Sequence, residues 1–476
     1  MDRTALTALY LDQIRQRGLR ASDLLGDLPA LKPSYYQGRY LSRPLFIGYS
    51  EWRQLYADIE NVRSALHSLP DRLYDGDFAA FAQAVGAYGA VAAVLTGQDK
   101  PPTQLARADL FASKTGFQLL ELNQGSAIGG ADNVDMCRAL LHNPVLAEFA
   151  RVHGLGYVDT VRNQVDTLLA ETGLEPGSSP VVALTRWPNE YEPILKPYLE
   201  AVAVEWHKLG IDAHECHIGE LSHRQGRVWL DGRPVDAIFR MFYIGHLHNS
   251  PRAPAMLAPV LDAVARGEVK LCAPLESDIF SSKAALAMIS DDANRRLFTA
   301  AELESIDRIV PWTRLVRPGP VTTPDGGRAD LLDYAMAQQD ELILKPSMGW
   351  EGIGIIPGWQ DLSPEQWRAH LASVSDPWYV IQKRVRPEPE LFPDEDGELI
   401  PWTPVWGLFT GAPGYGGIYV RAVMDSSAGV INHALGAFNG SCLSVTYPPA
   451  DGAGVRLAQR RSQSRPSTGR TSGTKP

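Results

Sequence analysis

Along the first hundred residues apolar positions recur every three or four, as at Leu6, Leu9, Tyr10 and Ile14, which predicts a mainly helical region. After the Asp75-Gly76-Asp77 turn, Phe78 to Gly97 carries no charge. Eight of those twenty residues are alanine, and Gln83, Gly86, Gly89 and Thr96 dilute the rest, so a buried helix is expected there rather than a membrane span. Then the pattern changes. Phe117 to Asn123 reads as a short strand that runs into a glycine-rich loop, Gly125 to Gly130.

From about residue 176 strand and helix alternate. Pro180 to Leu184 predicts a buried strand, Tyr191 to Leu209 a helix stopped at Gly210, and Ile211 to Ile218 the next strand. Arg227 to Leu230 with Asp231-Gly232 signals a hairpin, and Val235 to Phe239 a further strand. This order suggests a small Rossmann-like α/β unit. Asn294 to Ile309 predicts a helix ended by Pro311-Trp312-Thr313. Glu341 to Lys345, Trp378 to Gln382 and two segments within Gly407 to Val423 predict strands. Beyond Tyr447 apolar content collapses, and a disordered tail is expected.

Composition narrows the function class. With 476 residues and 45% hydrophobic content, about three folding units, or one large domain with insertions, are expected. The net charge is −10, yet residues 451–476 hold six basic residues and one acidic, a local +5; the remainder therefore carries −15. That balance argues against nucleic acid as a partner, and no membrane partner is expected. Cys137, Cys216, Cys272 and Cys442 lie far apart without a CxxC pair, as in a cytoplasmic protein with reduced thiols, and the N-terminal stretch lacks the apolar core of a signal peptide. His246 and His248 have no third ligand nearby, so no metal is expected on them.

Three constellations carry candidate chemistry. In Arg107-Ala108-Asp109 and Glu121-Leu122-Asn123, residues two apart on a strand share a face. If Asp109 lies on the paired strand, it converges with Glu121 and Asn123 into a hard-oxygen site suited to Mg²⁺. In the second, Lys345 ends a strand and is followed by Gly349, Gly352 and Gly354, a loop whose N–H groups can approach phosphates. The third is the strand Tyr379 to Gln382 leading into Lys383-Arg384, with Gly417 to Arg421 later; the first can offer backbone groups to an adenine edge, and Arg421 can reach a transferring phosphoryl group.

In this order and spacing the chain resembles the circularly permuted ATP-grasp enzymes, in particular the synthetase domain of glutathionylspermidine synthetase. The matching elements are R-x-D at Arg107–Asp109, E-x-N at Glu121–Asn123, a helix-starting lysine at Lys283, the turn Val310-Pro311-Trp312-Thr313, the loop Lys345 to Gly352, Tyr379 to Gln382, and Gly417 to Arg421. The resemblance covers roughly residues 100 to 440. It implies an α/β (α+β) ATP-grasp fold, circularly permuted, with ATP and Mg²⁺ bound. Asp109, Glu121 and Asn123 would hold the metal; Lys283, Lys345, Gly349, Gly352, Gly354 and Gln382 would hold the nucleotide. Arg107 and Arg421 would be catalytic. The implied organisation is a helical region (1–100), a first ATP-grasp segment with the metal site (101–175), a Rossmann-like subdomain (176–280), a nucleotide-binding segment (281–450) and the tail (451–476). The implied reaction is ATP-dependent joining of a small-molecule carboxylate to an amine (amino acid, peptide or polyamine) through an acyl phosphate, with a homodimer as a compatible assembly. A small-molecule kinase and a non-catalytic nucleotide-binding protein stay open as alternatives.

Overall fold

The computed structural model describes residues 1–25, 38–95, 101–188, 192–248, 250–349, 352–374, 379–424, 430–431 and 435–446. The basic tail, Trp350, Glu351 and Trp378 lie outside the described residues.

A central sheet runs in the order Leu45–Ile47, Phe438–Val445, Gly414–Val423, Leu399–Gly411, Ala106–Ser113, Gly116–Gln124, with short strands Glu390–Pro393 and Leu155–Gly156 attached. Leu45–Ile47 pairs parallel; the other neighbours are antiparallel. Period-two alternation sorts its faces. Ala108, Leu110, Leu122, Leu408, Ile418 and Val420 point into one core with Leu55, Ile59, Val62 and Leu66 of helix Tyr49–His67. The intervening residues, among them Arg107, Asp109, Glu121, Asn123 and Arg421, point the other way. The register opposes Asp109 to Glu121 and Leu110 to Leu119. Leu120 is therefore the extra residue of a β-bulge, a distortion that re-aims backbone groups.

A second sheet is wholly parallel, in the order Lys270–Cys272, Ala237–Arg240, Val181–Arg186, Asp212–His217. Helix Glu192–Lys208 packs on it through buried Leu199 and Trp206. A third, antiparallel sheet of Thr313–Leu315, Tyr379–Lys383, Leu342–Pro346 and Ile356–Pro357 is backed by helices Leu331–Ala337 and Pro364–Ser373, with Trp367 fully buried between them.

Local differences from the sequence reading have clear causes. The uncharged run from Phe78 forms two short helices, Phe78–Ala84 and Gly89–Val94, because Gly86 takes φ 109° and Gly89 φ 54°, both outside helical backbone. The helix expected from Asn294 begins as a 3-10 turn, Asp292–Leu297. The α-helix starts at Ala300, where Thr299 and Glu302 form a reciprocal cap. Arg227–Leu230 pairs with both Ser222–Arg224 and Arg233–Pro234, forming a three-stranded ribbon. Among the described residues no helix is long and apolar enough to cross a membrane.

Candidate active site

The polar face of the central sheet holds two carboxylates in a ring of cations. Asp109, 2% exposed, is gripped by both sides of Arg107: Nε to Oδ1 at 2.8 Å and Nη2 to Oδ2 at 3.1 Å. Arg421 reaches Oδ2 from the strand beyond, at 2.8 Å. Arg107 also donates to the Ile128 carbonyl at 2.6 Å, which fixes the glycine-rich loop above it. Between these strands lies Gly407. A β-carbon there would stand 3.1 Å from Arg107 Cδ and 3.3 Å from Asp109 Oδ1. The missing side chain makes room for the pair.

Glu121 faces Asp109 across the ladder. Its Oε2 pairs with Lys283 Nζ at 3.0 Å. Asn123 bridges the two carboxylates through Nδ2, 3.3 Å from each. Burial alone would raise the Glu121 carboxyl, but Lys283 and then Lys345 overrule it and hold it below the usual carboxylate range.

Lys283 is the first residue of helix Lys283–Ser290, capped by Ser282. Its backbone N–H donates to the Ser347 carbonyl at 2.8 Å, and its Nζ to the Gly349 carbonyl at 3.3 Å. The helix start thus holds the glycine loop. In that loop Gly352 and Gly354 both have φ 75°, and a β-carbon at Gly354 would meet the Tyr379 hydroxyl at 2.9 Å.

Lys345 donates to Gln382 Oε1 at 2.7 Å and to the Leu120 carbonyl at 3.3 Å. The β-bulge turns that carbonyl toward the lysine. Gln382 in turn donates to Thr313 Oγ1 at 3.0 Å. Its buried amide thus links Lys345 to Thr313 and holds the lysine in place. Burial, reinforced by neighbouring Lys283 and opposed by Glu121, pushes the Lys345 ammonium down to about 8.

All eight charged or amide side chains singled out in the sequence thus share one site, and Gly349 borders it. Four cations (Arg107, Arg421, Lys283, Lys345) surround two carboxylates, a surplus of two positive charges. Such a site suits a polyanion. The oxygens of Asp109, Glu121 and Asn123 fit Mg²⁺ in donor type, but each carboxylate already carries a cation. The set therefore fits Mg²⁺ arriving with phosphate oxygens, which would draw the arginines and lysines onto themselves.

Several contributing residues were not singled out in the sequence. Tyr243 follows the parallel strand Ala237–Arg240, and its hydroxyl lies in the fields of Arg107, Asp109 and Glu121; burial pushes it up to about 12. Its place just past a parallel strand's carboxyl end is the signal that could have found it. Arg240 and Asp278 form a buried pair at 2.6 Å. The Arg240 carbonyl accepts from Ser126 Oγ, and a β-carbon at Gly125 (φ 146°) would strike Asp278 Oδ1 at 2.7 Å. The parallel sheet thus clamps the loop that follows Asn123.

No protein-family model matches the sequence, and no curated protein matches it. Solved structures do. A glutathione synthetase-like effector from Globodera pallida is similar over 93% of this chain and 97% of its own, with 12% identity and a TM-score of 0.50. A protein described as a candidate gamma-glutamylcysteine synthetase from Methylobacillus flagellatus is 11% identical over 82% of this chain and 87% of its own, with a TM-score of 0.43. A RimK-domain ATP-grasp protein from Sphaerobacter thermophilus is 13% identical over 52% of this chain and 94% of its own, with a TM-score of 0.22. At 12% identity the likeness to the glutathione synthetase-like effector is one of fold alone.

Proposed function

We propose that this chain is an ATP-dependent carboxylate–amine ligase that forms an amide through an acyl phosphate and releases ADP and phosphate. The observation that carries the reading is the convergence of Asp109, Glu121 and Asn123 with Lys283, Lys345, Arg107 and Arg421 on one sheet face. A site built only to recognise adenine has no need of four cations. The chain order, with the carboxylate strands ahead of the lysine loop, supports a circularly permuted arrangement.

In this reading Lys345 and Lys283 neutralise the triphosphate, and the loop around Gly349, Gly352 and Gly354 lends it backbone N–H groups. Gln382 and the Leu120 carbonyl hold Lys345 in place. Asp109, Glu121 and Asn123 would hold Mg²⁺ arriving with ATP, and the ion would supply positive charge to the phosphates there. Arg107 and Arg421, released from Asp109 as negative charge builds on the transferring group, stabilise it by bidentate hydrogen bonds. The substrate carboxylate attacks the γ-phosphorus and ADP leaves; the amine then displaces phosphate. The residues contribute positioning and charge, worth several kcal/mol of barrier in sites of this kind. Tyr243, in the fields of Arg107, Asp109 and Glu121, would contact the acceptor.

The test is turnover of Mg-ATP with pools of amino acids, peptides and polyamines, reading nucleotide products and product mass. Amide formation, with a hydroxamate when hydroxylamine replaces the amine, supports the ligase. A phosphorylated hydroxyl product would instead make the chain a small-molecule kinase. Nucleotide binding without turnover would make it a non-catalytic binder.

A further inference from the structure

At the amino end of the parallel sheet, away from the candidate active site, lies a second cluster. His207 belongs to the last turn of helix Glu192–Lys208, while Asp212 and His214 begin the edge strand Asp212–His217 and share one face. The turn between them is fixed by its own backbone: Ile211 N–H donates to the Trp206 carbonyl at 3.1 Å, and Gly210 N–H, at φ 84°, donates to the His207 carbonyl at 3.0 Å. Both imidazoles turn Nε2 to the same oxygen, Asp212 Oδ1, at 3.2 Å from His207 and 2.8 Å from His214. One ligand atom from each of the three residues lies within 4.8 Å of the others.

We propose that His207, Asp212 and His214 form a surface site for a transition-metal ion of borderline softness, Zn²⁺ being the expected occupant. Tetrahedral zinc about 2.0–2.1 Å from each N or O ligand sets its donors roughly 3.3 Å apart, close to the two Nε2–Oδ1 separations of 3.2 and 2.8 Å. Two imidazoles with one carboxylate select against Mg²⁺ and Ca²⁺, which take oxygen donors. The partial exposure of all three side chains leaves the fourth position to water. One feature of the site opposes the ion: Arg233 Nη1 lies 3.1 Å from both ring nitrogens of His214. Arg233 is exposed on a two-residue strand, so it can move aside. Bound zinc would tie the helix end to the sheet edge and stabilise the α/β unit by mass action.

The test is calorimetric titration of the full chain with zinc chloride, with Co²⁺ absorption as a second readout of imidazole ligation. One zinc equivalent should bind wild type, and His207→Ala and His214→Ala should each weaken it at least tenfold. Arg233→Ala should tighten it severalfold, because a competing cation is removed. Circular dichroism of each variant checks that it remains folded. The proposal is overturned if the doubly substituted protein retains the full zinc stoichiometry, or if wild type binds none up to millimolar zinc.

Discussion

Asp109 sits between two guanidinium groups, and that placement changes what its replacement should do. Two carboxylates facing each other across a ladder suggest repulsion that Asp109→Asn would relieve. Here each is already neutralised, so Asp109→Asn strands Arg107 and Arg421 and should cost about 2–4 kcal/mol in the absence of nucleotide. Glu121→Gln leaves Lys283 with a neutral partner and should cost less. Both should lower turnover at least about a hundredfold. Melting curves beside turnover check the pair; an Asp109→Asn protein that melts and turns over like wild type would take Asp109 out of the site's machinery. Lys345 makes a second residue-scale prediction. Held down to about 8 by burial and Lys283, it is half deprotonated near that pH, and a polyphosphate beside it favours the charged form. Nucleotide binding at pH 8.5 should therefore take up most of a proton, read calorimetrically as a buffer-dependent enthalpy, and affinity should fall above pH 8. Equal enthalpies in buffers of different ionisation heat would contradict it. Asp132 is a third case. Its Oδ2 is buried with no hydrogen-bond partner among the described residues, and burial pushes the carboxyl up to about 7. The folded state favours the neutral form, so the group's contribution is full below the unfolded value near 4 and is lost as pH rises through 7. Asp132→Asn should raise the melting temperature by a few degrees at pH 8 and leave it unchanged at pH 4. Equal stabilisation at both would contradict this account.

At the scale of elements, what was legible in the sequence is what depends on period and local chemistry. The strand carrying Glu121 and Asn123 was readable because a strand must alternate its faces, while the helix start at Lys283 came only from the family resemblance; its Ser282 cap is seen in the structure. The β-bulge at Leu120 was not readable, since it depends on the partner strand's register. The strand Leu45–Ile47 was missed because three apolar residues within a helical region carry no period. The pattern places Gly407 only at the start of a predicted strand pair; the folded sheet shows Arg107 and Asp109 above it. Gly407→Val should push that pair aside, lowering turnover at least tenfold while costing only about 1–3 kcal/mol of stability. Wild-type turnover in a folded Gly407→Val protein would remove the steric role assigned to this glycine.

At the scale of the molecule, the site is assembled from pieces that local reading cannot join. The Asp109–Arg421 contact spans 312 residues of chain, and Lys345 reaches Leu120 across 225. The order of the chemical groups along the sequence signalled the site better than any single motif, because each group occupies the end or face of a separate element. The sequence did not reveal how three sheets meet, or that the parallel sheet clamps the glycine loop through Arg240 and Asp278. The protein as a whole is acidic, at −10, while this site has a surplus of two positive charges. That contrast sets the site apart from the acidic body of the chain. The most direct test of the central claim is the nucleotide released when the full chain turns over Mg-ATP with a pooled carboxylate and amine mixture, with Asp109→Asn and Glu121→Gln alongside. The account predicts ADP and phosphate in equal amounts from wild type, and at least a hundredfold less from either variant. AMP and pyrophosphate as the main products, or undiminished ADP release from both variants, would contradict it.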